Sequence, residues 1–282
     1  MSEFNVEKVV DRIVREINRA GKLRDAVYLD TNAWSTLAKG RVACEPLQEW
    51  LKENGCYLWM ARFQLAELAR DSRIAAMLAD LLRKLPVVML DRAQDELNGA
   101  PWHKVTTAID EYIHLETDEQ YSLFLDKIMR GPILETRGQL DRDKESFREW
   151  LEKSLSSISP QTERTWLEFP TRVESWTRAK CLQNKIPINE DALRNPLCYI
   201  GLKLSYGVLF VRYFLNRQRW NSSDYLDYLH ASDMAYARVV VTEKNLAECL
   251  RQLNKKARLT APDQIEDLGW LNDPFSGNQP PG

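Results

Sequence analysis

The stretch Val27-Tyr28-Leu29-Asp30-Thr31-Asn32-Ala33-Trp34 decides how this chain is read. Three mostly apolar residues run into an Asp-Thr-Asn triplet, and a helix-like run follows from Ala33. An apolar strand ending in a carboxylate puts that carboxylate at the carboxyl edge of a parallel sheet, where open α/β sheets bind ligands. A hard divalent cation prefers such oxygen donors. The competing role for Asp30 is a plain cap on the helix that opens at Ala33.

Similar signals lie on either side. Tyr57–Met60 reads as a second buried strand, followed by helices over 64–70 and 72–84. Pro86 introduces a third strand, Val87–Leu90, ending at Asp91. Strands alternating with helices predict a parallel sheet with crossover connections. From about 95 to 222 the periodicity is helical, over 103–115, 119–129, 143–155, 161–183 and 197–217, with breaks at 156–160 and 185–187. The α/β pattern returns with a helix over 224–236, a fourth strand over 238–242, a helix over 243–254 and a fifth strand over 257–260. The expected organisation is an amphipathic N-terminal helix in 1–22, an α/β core in 23–94 and 222–270, a helical insertion in 95–221 and a disordered tail in 271–282.

Composition narrows the function classes. The chain has 282 residues, 44% hydrophobic and 28% charged, with a net charge of −2. That balance gives no global pull on nucleic acid, so an anionic partner needs a local basic patch. Five cysteines without a CxxC pair point to reduced thiols rather than disulfides or a cysteine zinc site, and to a cytoplasmic protein. The N-terminus lacks a signal peptide's apolar core. The apolar run 197–215 contains Lys203 and Arg212, which argues against a membrane span.

Acidic residues at four places fall near one sheet edge if the strands are parallel. Asp30 ends the first strand, Glu67 lies on the helix after the second, Asp224 and Asp227 lie on the helix feeding the fourth, and Glu243 follows that strand. Clustered carboxylates repel unless a cation neutralises them. Mg2+ or Mn2+ suits such a set and supplies an activated water for phosphodiester hydrolysis. Each residue also has a plainer role: Glu67 can pair with Arg70, Asp224 can be a first-turn charge, and His230 can be a hydrogen-bonded core histidine. Asn32 and Thr242 are candidate supporting donors, or turn residues. Residues 192–223 carry Lys203, Arg212, Arg217 and Arg219 interleaved with aromatics, which suits single-stranded nucleic acid. The same pattern also fits a core helix with a basic rim.

The pieces 25–92 and 222–262 resemble the PIN-domain nucleases: strand-Asp30-Thr31-Asn32, Glu67 in Glu-Leu-Ala-Arg, Asp227 with His230 three residues on, and Val-Val-Val-Thr242-Glu243. The resemblance implies a parallel sheet flanked by helices and Mg2+ or Mn2+ held by Asp30, Glu67 and Asp227. It also implies hydrolysis of single-stranded or structured RNA to leave a 5′-phosphate. Asp224 and His230 then support the metal-binding carboxylates. The family's fourth acidic position is usually Asp; here Glu243 and Lys244 stand there. Such proteins include toxins with antitoxin partners, RNA-processing enzymes and defence nucleases, and the sequence does not choose among them. It also leaves open a second copy packing on the N-terminal helix. Two other readings remain: a non-catalytic nucleic-acid or protein binding module, and a phosphatase resembling the haloacid-dehalogenase type. The phosphatase lacks its general acid, because Asn32 stands where DxDxT has Asp.

Overall fold

The computed structural model describes residues 25–85, 87–92, 107–113, 117–130, 132–159, 163–195, 198–259 and 262–276. The expected N-terminal helix and the last six residues of the tail lie outside these.

Six strands form one sheet: β1 (Ala26–Leu29), β2 (Tyr57–Met60), β3 (Val87–Arg92), β4 (Thr107–Ile113), β5 (Val239–Thr242) and β6 (Gln264–Asp267), in the order β4-β3-β2-β1-β5-β6. The five strands β3-β2-β1-β5-β6 are parallel; β4 pairs antiparallel on the edge of β3. The α/β class follows directly. All of β1, β2 and β5 is buried, so helices cover both faces of the sheet centre.

Helices α1 (Thr31–Ala38), α2 (Glu45–Asn54), α3 (Arg62–Leu68) and α4 (Ser72–Leu82) make the crossovers around β1 and β2. The sequence explains their limits. Asp30 and Asp71 accept hydrogen bonds at the starts of α1 and α4, and Gly55, at φ 64°, ends α2 in the left-handed region.

Three expectations need correction. The segment 103–115 is not helical where described: β4 occupies 107–113, because pairing with β3 satisfies a sheet edge that local periodicity cannot reveal. The last strand is β6, over 264–267, not 257–260, since Leu253–Ala257 continues as a π-helical turn. The expected disordered tail also begins too early: Leu268–Asn272 is a 3-10 helix with Trp270 and Leu271 buried, and Trp270 packs edge-on against Trp50.

The remaining helices are α5 (Asp118–Arg130), α6 (Pro132–Ser156), α7 (Phe169–Gln183), α8 (Glu190–Arg194), α9 (Ile200–Leu209), α10 (Asp224–Met234) and α11 (Lys244–Gln252). They do not stand apart from the core. Every residue of α9 is buried, and the helix packs along α10. Phe147 and Trp150 of α6 join Tyr206 of α9 and Tyr228 of α10 in one aromatic cluster. Ring contacts of this kind add to plain area burial.

Gly207 marks the closest approach in this packing. A Cβ there would lie 2.9 Å from Leu253 Cδ2, and Leu253 is fully buried with no room to withdraw. Gly207→Ala should therefore lower stability. Overpacking costs about 1–3 kcal/mol and outweighs the ~1 kcal/mol that alanine gains in a helix. Urea unfolding of the two proteins measures the difference.

Candidate functional site

The site is built at the carboxyl ends of β1 and β5. From β1 the chain crosses to β2 on one side, and from β5 it crosses to β6 on the other. Their junction is the topological switch point, where open α/β sheets leave a crevice.

Asp30 sits in that junction, 4% exposed. Its Oδ1 accepts from Ala33 N (2.7 Å), and its Oδ2 accepts from Thr242 Oγ1 (2.5 Å) and Glu243 N (3.0 Å). Asp30 N donates to Val241 O, extending the β1–β5 ladder by one residue. The carboxylate thus caps α1 as the plainer reading expected, and also ties β5 to β1. Burial pushes its pKa up to about 6, against the three hydrogen bonds and with the help of the Glu243 charge.

Glu67 arrives from β2. Gln64, fully buried, accepts from Ala61 N (2.7 Å) and donates to Leu29 O (2.6 Å), which clamps the start of α3 to the end of β1. Glu67 follows one turn later. Its Oε2 accepts from Thr31 Oγ1 (2.6 Å); Thr31 Oγ1 lies 3.1 Å from His230 Nε2, and His230 Nδ1 lies 2.9 Å from Tyr28 Oη. Burial pushes the His230 pKa down to about 3, so the ring is neutral. Thr31 has one proton and gives it to Glu67, so His230 Nε2–H donates to Thr31 and Nδ1 accepts from Tyr28. The result is a chain of hydrogen bonds from the core tyrosine to Glu67. Burial raises the Glu67 pKa; Thr31, Arg70 and Lys144 oppose the rise.

Asp227 stands on α10. Burial pushes its pKa up to about 6, although Arg212 donates to its Oδ2 at 2.5 Å. Arg212 Nη1 also donates to Asp224 Oδ1 (2.7 Å), while Tyr213 Oη and Asn221 N donate to Asp224 Oδ2. Arg212 comes from a π-helical segment, Phe210–Leu215; single π turns inside helices occur often at functional sites. Glu243 is half-buried between the two halves, and its charge acts on both Asp30 and Asp227. Asn32 Nδ2 donates to it at 3.4 Å.

Two residues expected on a nucleic-acid face point inward instead. Lys203 is 4% exposed and donates to Asn195 O (2.6 Å); Arg212 is consumed by Asp224 and Asp227. The interleaved aromatics Tyr199, Tyr206, Phe210, Tyr213 and Phe214 are core. A basic residue inside an apolar helix signals an internal partner as readily as an external one, and here Asp224 and Asp227 are that partner. Arg217 and Arg219 are exposed. Sequence reasoning missed Gln64, Tyr28 and the pairing role of Arg212. A buried glutamine at the third position of a helix was the one signal available for Gln64.

The donor chemistry fits a hard cation: the carboxylates of Asp30, Asp227 and Glu243 offer oxygen alone, and two of them are desolvated. As the side chains stand, no three metal-ligating residues converge on one point among the described residues. No family model, no curated protein and no solved structure matches the chain. No helix among the described residues is long and apolar enough to cross a membrane.

Asp30 is harder to ionise folded than unfolded. Stability present below about pH 4 is therefore lost as pH rises through about 6, at a cost of roughly 3 kcal/mol for a two-unit shift. Without divalent ions at pH 8, Asp30→Asn should raise stability by up to about 2 kcal/mol, after about 1–3 kcal/mol for the bond from Glu243 N, which the amide nitrogen cannot accept. The gain should vanish as pH falls towards 4, which denaturant titrations at several pH values would show. Thr31→Val should cost about 1–3 kcal/mol by stranding the buried His230 N–H, and Thr31→Ser should restore most of it.

Proposed function

We propose that this chain is a nuclease of the PIN-like type, hydrolysing phosphodiester bonds of RNA with Mg2+ or Mn2+. The observation that carries the reading is Asp30: a desolvated carboxylate at the switch point, next to Glu243, whose charge acts on both Asp30 and Asp227. Buried carboxylates with raised pKa values are expensive to the fold, and such costs concentrate at functional sites.

Asp30, Asp227 and Glu243 would hold the ion. When bound, it supplies a water acidic enough to attack near neutral pH and offsets charge on the phosphate oxygens. The chain's own residues do the rest. Glu67, fixed through Thr31, orients the water and accepts its proton. The water oxygen bonds to phosphorus as the bond to the 3′ oxygen breaks, leaving a 5′-phosphate and a 3′-hydroxyl that takes a proton from solvent. Arg219, exposed beside Asp227, steers the phosphate backbone.

One observation favours a second reading, a binding module without turnover: Arg212 already neutralises Asp227. A resident guanidinium can replace a metal's charge but cannot activate water.

Labelled single-stranded RNA and DNA, incubated with Mn2+ or Mg2+, separate the two. The nuclease reading expects metal-dependent cleavage of RNA, abolished in a folded Asp30→Asn variant. Intact substrate with every divalent ion, together with RNA binding that persists in a chelator, would establish the binding module.

A further inference from the structure

Beside the carboxylates lies a cavity of about 470 Å3, between the end of the π-helical segment, the start of α10 and one side of α11. Asp227 and Glu243 form one end of it. Its other walls are rich in side-chain amides: Asn216, Gln218, Asn221, Asn245 and Gln252. The amides of Asn216, Gln218 and Asn245 have no hydrogen-bond partner among the described residues. The chain is bent to bring them here. Arg217 takes a left-handed conformation (φ 52°), and the turn closes with Gln218 N donating to Arg212 O. A non-glycine residue held there costs of order 1 kcal/mol.

The volume falls within the roughly 300–1,000 Å3 range of small-ligand sites. The five amides share the lining with Arg219 and with the carboxylates of Asp224 and Glu248, so the cavity carries neutral polar groups between charges of both signs. Amide groups carry a donor and an acceptor side by side, the pattern that reads base edges. An unpaired base also offers its Watson–Crick edge, which a duplex hides.

We propose that this cavity receives one unpaired nucleobase adjoining the phosphodiester addressed by Asp30 and Asp227, and selects bases that carry an exocyclic amino group. The proposal rests on the nuclease reading for why a nucleotide arrives. The selection comes from Glu248 and Gln252. Gln252 Nε2 donates to Glu248 Oε1 at 3.2 Å, which leaves the Gln252 carbonyl and the second Glu248 oxygen as acceptors. The amino group of adenine or cytosine brings two hydrogens, one for each acceptor, and guanine brings its N1–H and N2 amino group. Uracil brings a single N–H flanked by carbonyls, so one of the two acceptors is left without a donor. The substrate is therefore single-stranded, or locally unpaired, with uracil disfavoured at this position.

Adenosine, cytidine, guanosine and uridine, titrated into the full chain in a chelator, give the test. The readout is the side-chain amide signals of Asn245 and Gln252 in nitrogen–proton correlation spectra. Uncharged nucleosides avoid repulsion from the carboxylates. The expected result is saturable shifts for the three amino-bearing nucleosides, with uridine at least about fivefold weaker, the low end for one good base-edge contact. Glu248→Gln should narrow that gap. No shift with any nucleoside, or equal affinity for all four unaffected by Glu248→Gln, would overturn the proposal. Its fate separates from that of the nuclease reading: selective binding without metal-dependent cleavage sinks only the nuclease reading, while cleavage indifferent to base and no nucleoside binding sinks only the cavity's role.

Discussion

The structure turns on one buried carboxylate. Asp30 takes three hydrogen bonds from two parts of the chain: the first turn of α1, and the end of β5 through the hydroxyl of Thr242 and the amide of Glu243. Those bonds hold the ends of β1 and β5 together at the point where the crossovers diverge. They do not fully offset desolvation, since the carboxyl still titrates near 6. The other acidic groups are arranged around this unresolved cost, each with its own remedy. Glu67 receives a hydrogen bond fed from the core, and Asp227 receives a guanidinium.

The central fold was legible because its strands are short apolar runs broken by turn residues, and burial on both faces makes such runs unmistakable. Asp30 and Glu243 could be placed at one edge for the same reason, since each directly follows a strand; Glu67 and Asp227 were placed by the helices that leave β2 and feed β5. The edge strand β4 was not legible. An antiparallel edge needs neither a hydrophobic run nor a crossover helix, and its pairing partner is set by tertiary contact. The helices α6 and α7 were legible as helices, but not as part of the core; for α9 a core helix with a basic rim was one of the two readings, and burial bears it out. Helical periodicity shows that a face is buried and not what buries it, and here aromatic side chains on α6 and α9 close on those of α10.

The charged residues of α9 and the π turn show where pattern reading fails. Lys203 and Arg212 sit among aromatics, and that composition is shared by a nucleic-acid groove and by a core with internal ion pairs. Burial decides between them. Lys203 spends its ammonium on backbone carbonyls, and Arg212 bridges two carboxylates. The exposed cations, Arg217 and Arg219, lie past the helix end, where the left-handed turn at Arg217 redirects the chain.

Arg212 also sets the order in which charge can enter the site. Its guanidinium reaches both Asp224 and Asp227 through one nitrogen, and Asp224 has two further donors that Asp227 lacks. Loosening Arg212 from Asp227 leaves it anchored on Asp224 and frees a carboxylate oxygen of Asp227, which lines the cavity with Glu243. Asp227 then needs another positive partner, because Arg212 is its one hydrogen-bond donor among the described residues. An incoming cation competes with Arg212 for Asp227 alone, at the boundary between the strand-edge carboxylates and the amide-lined cavity. The pair is thus hinged on its structural side and open on its functional side.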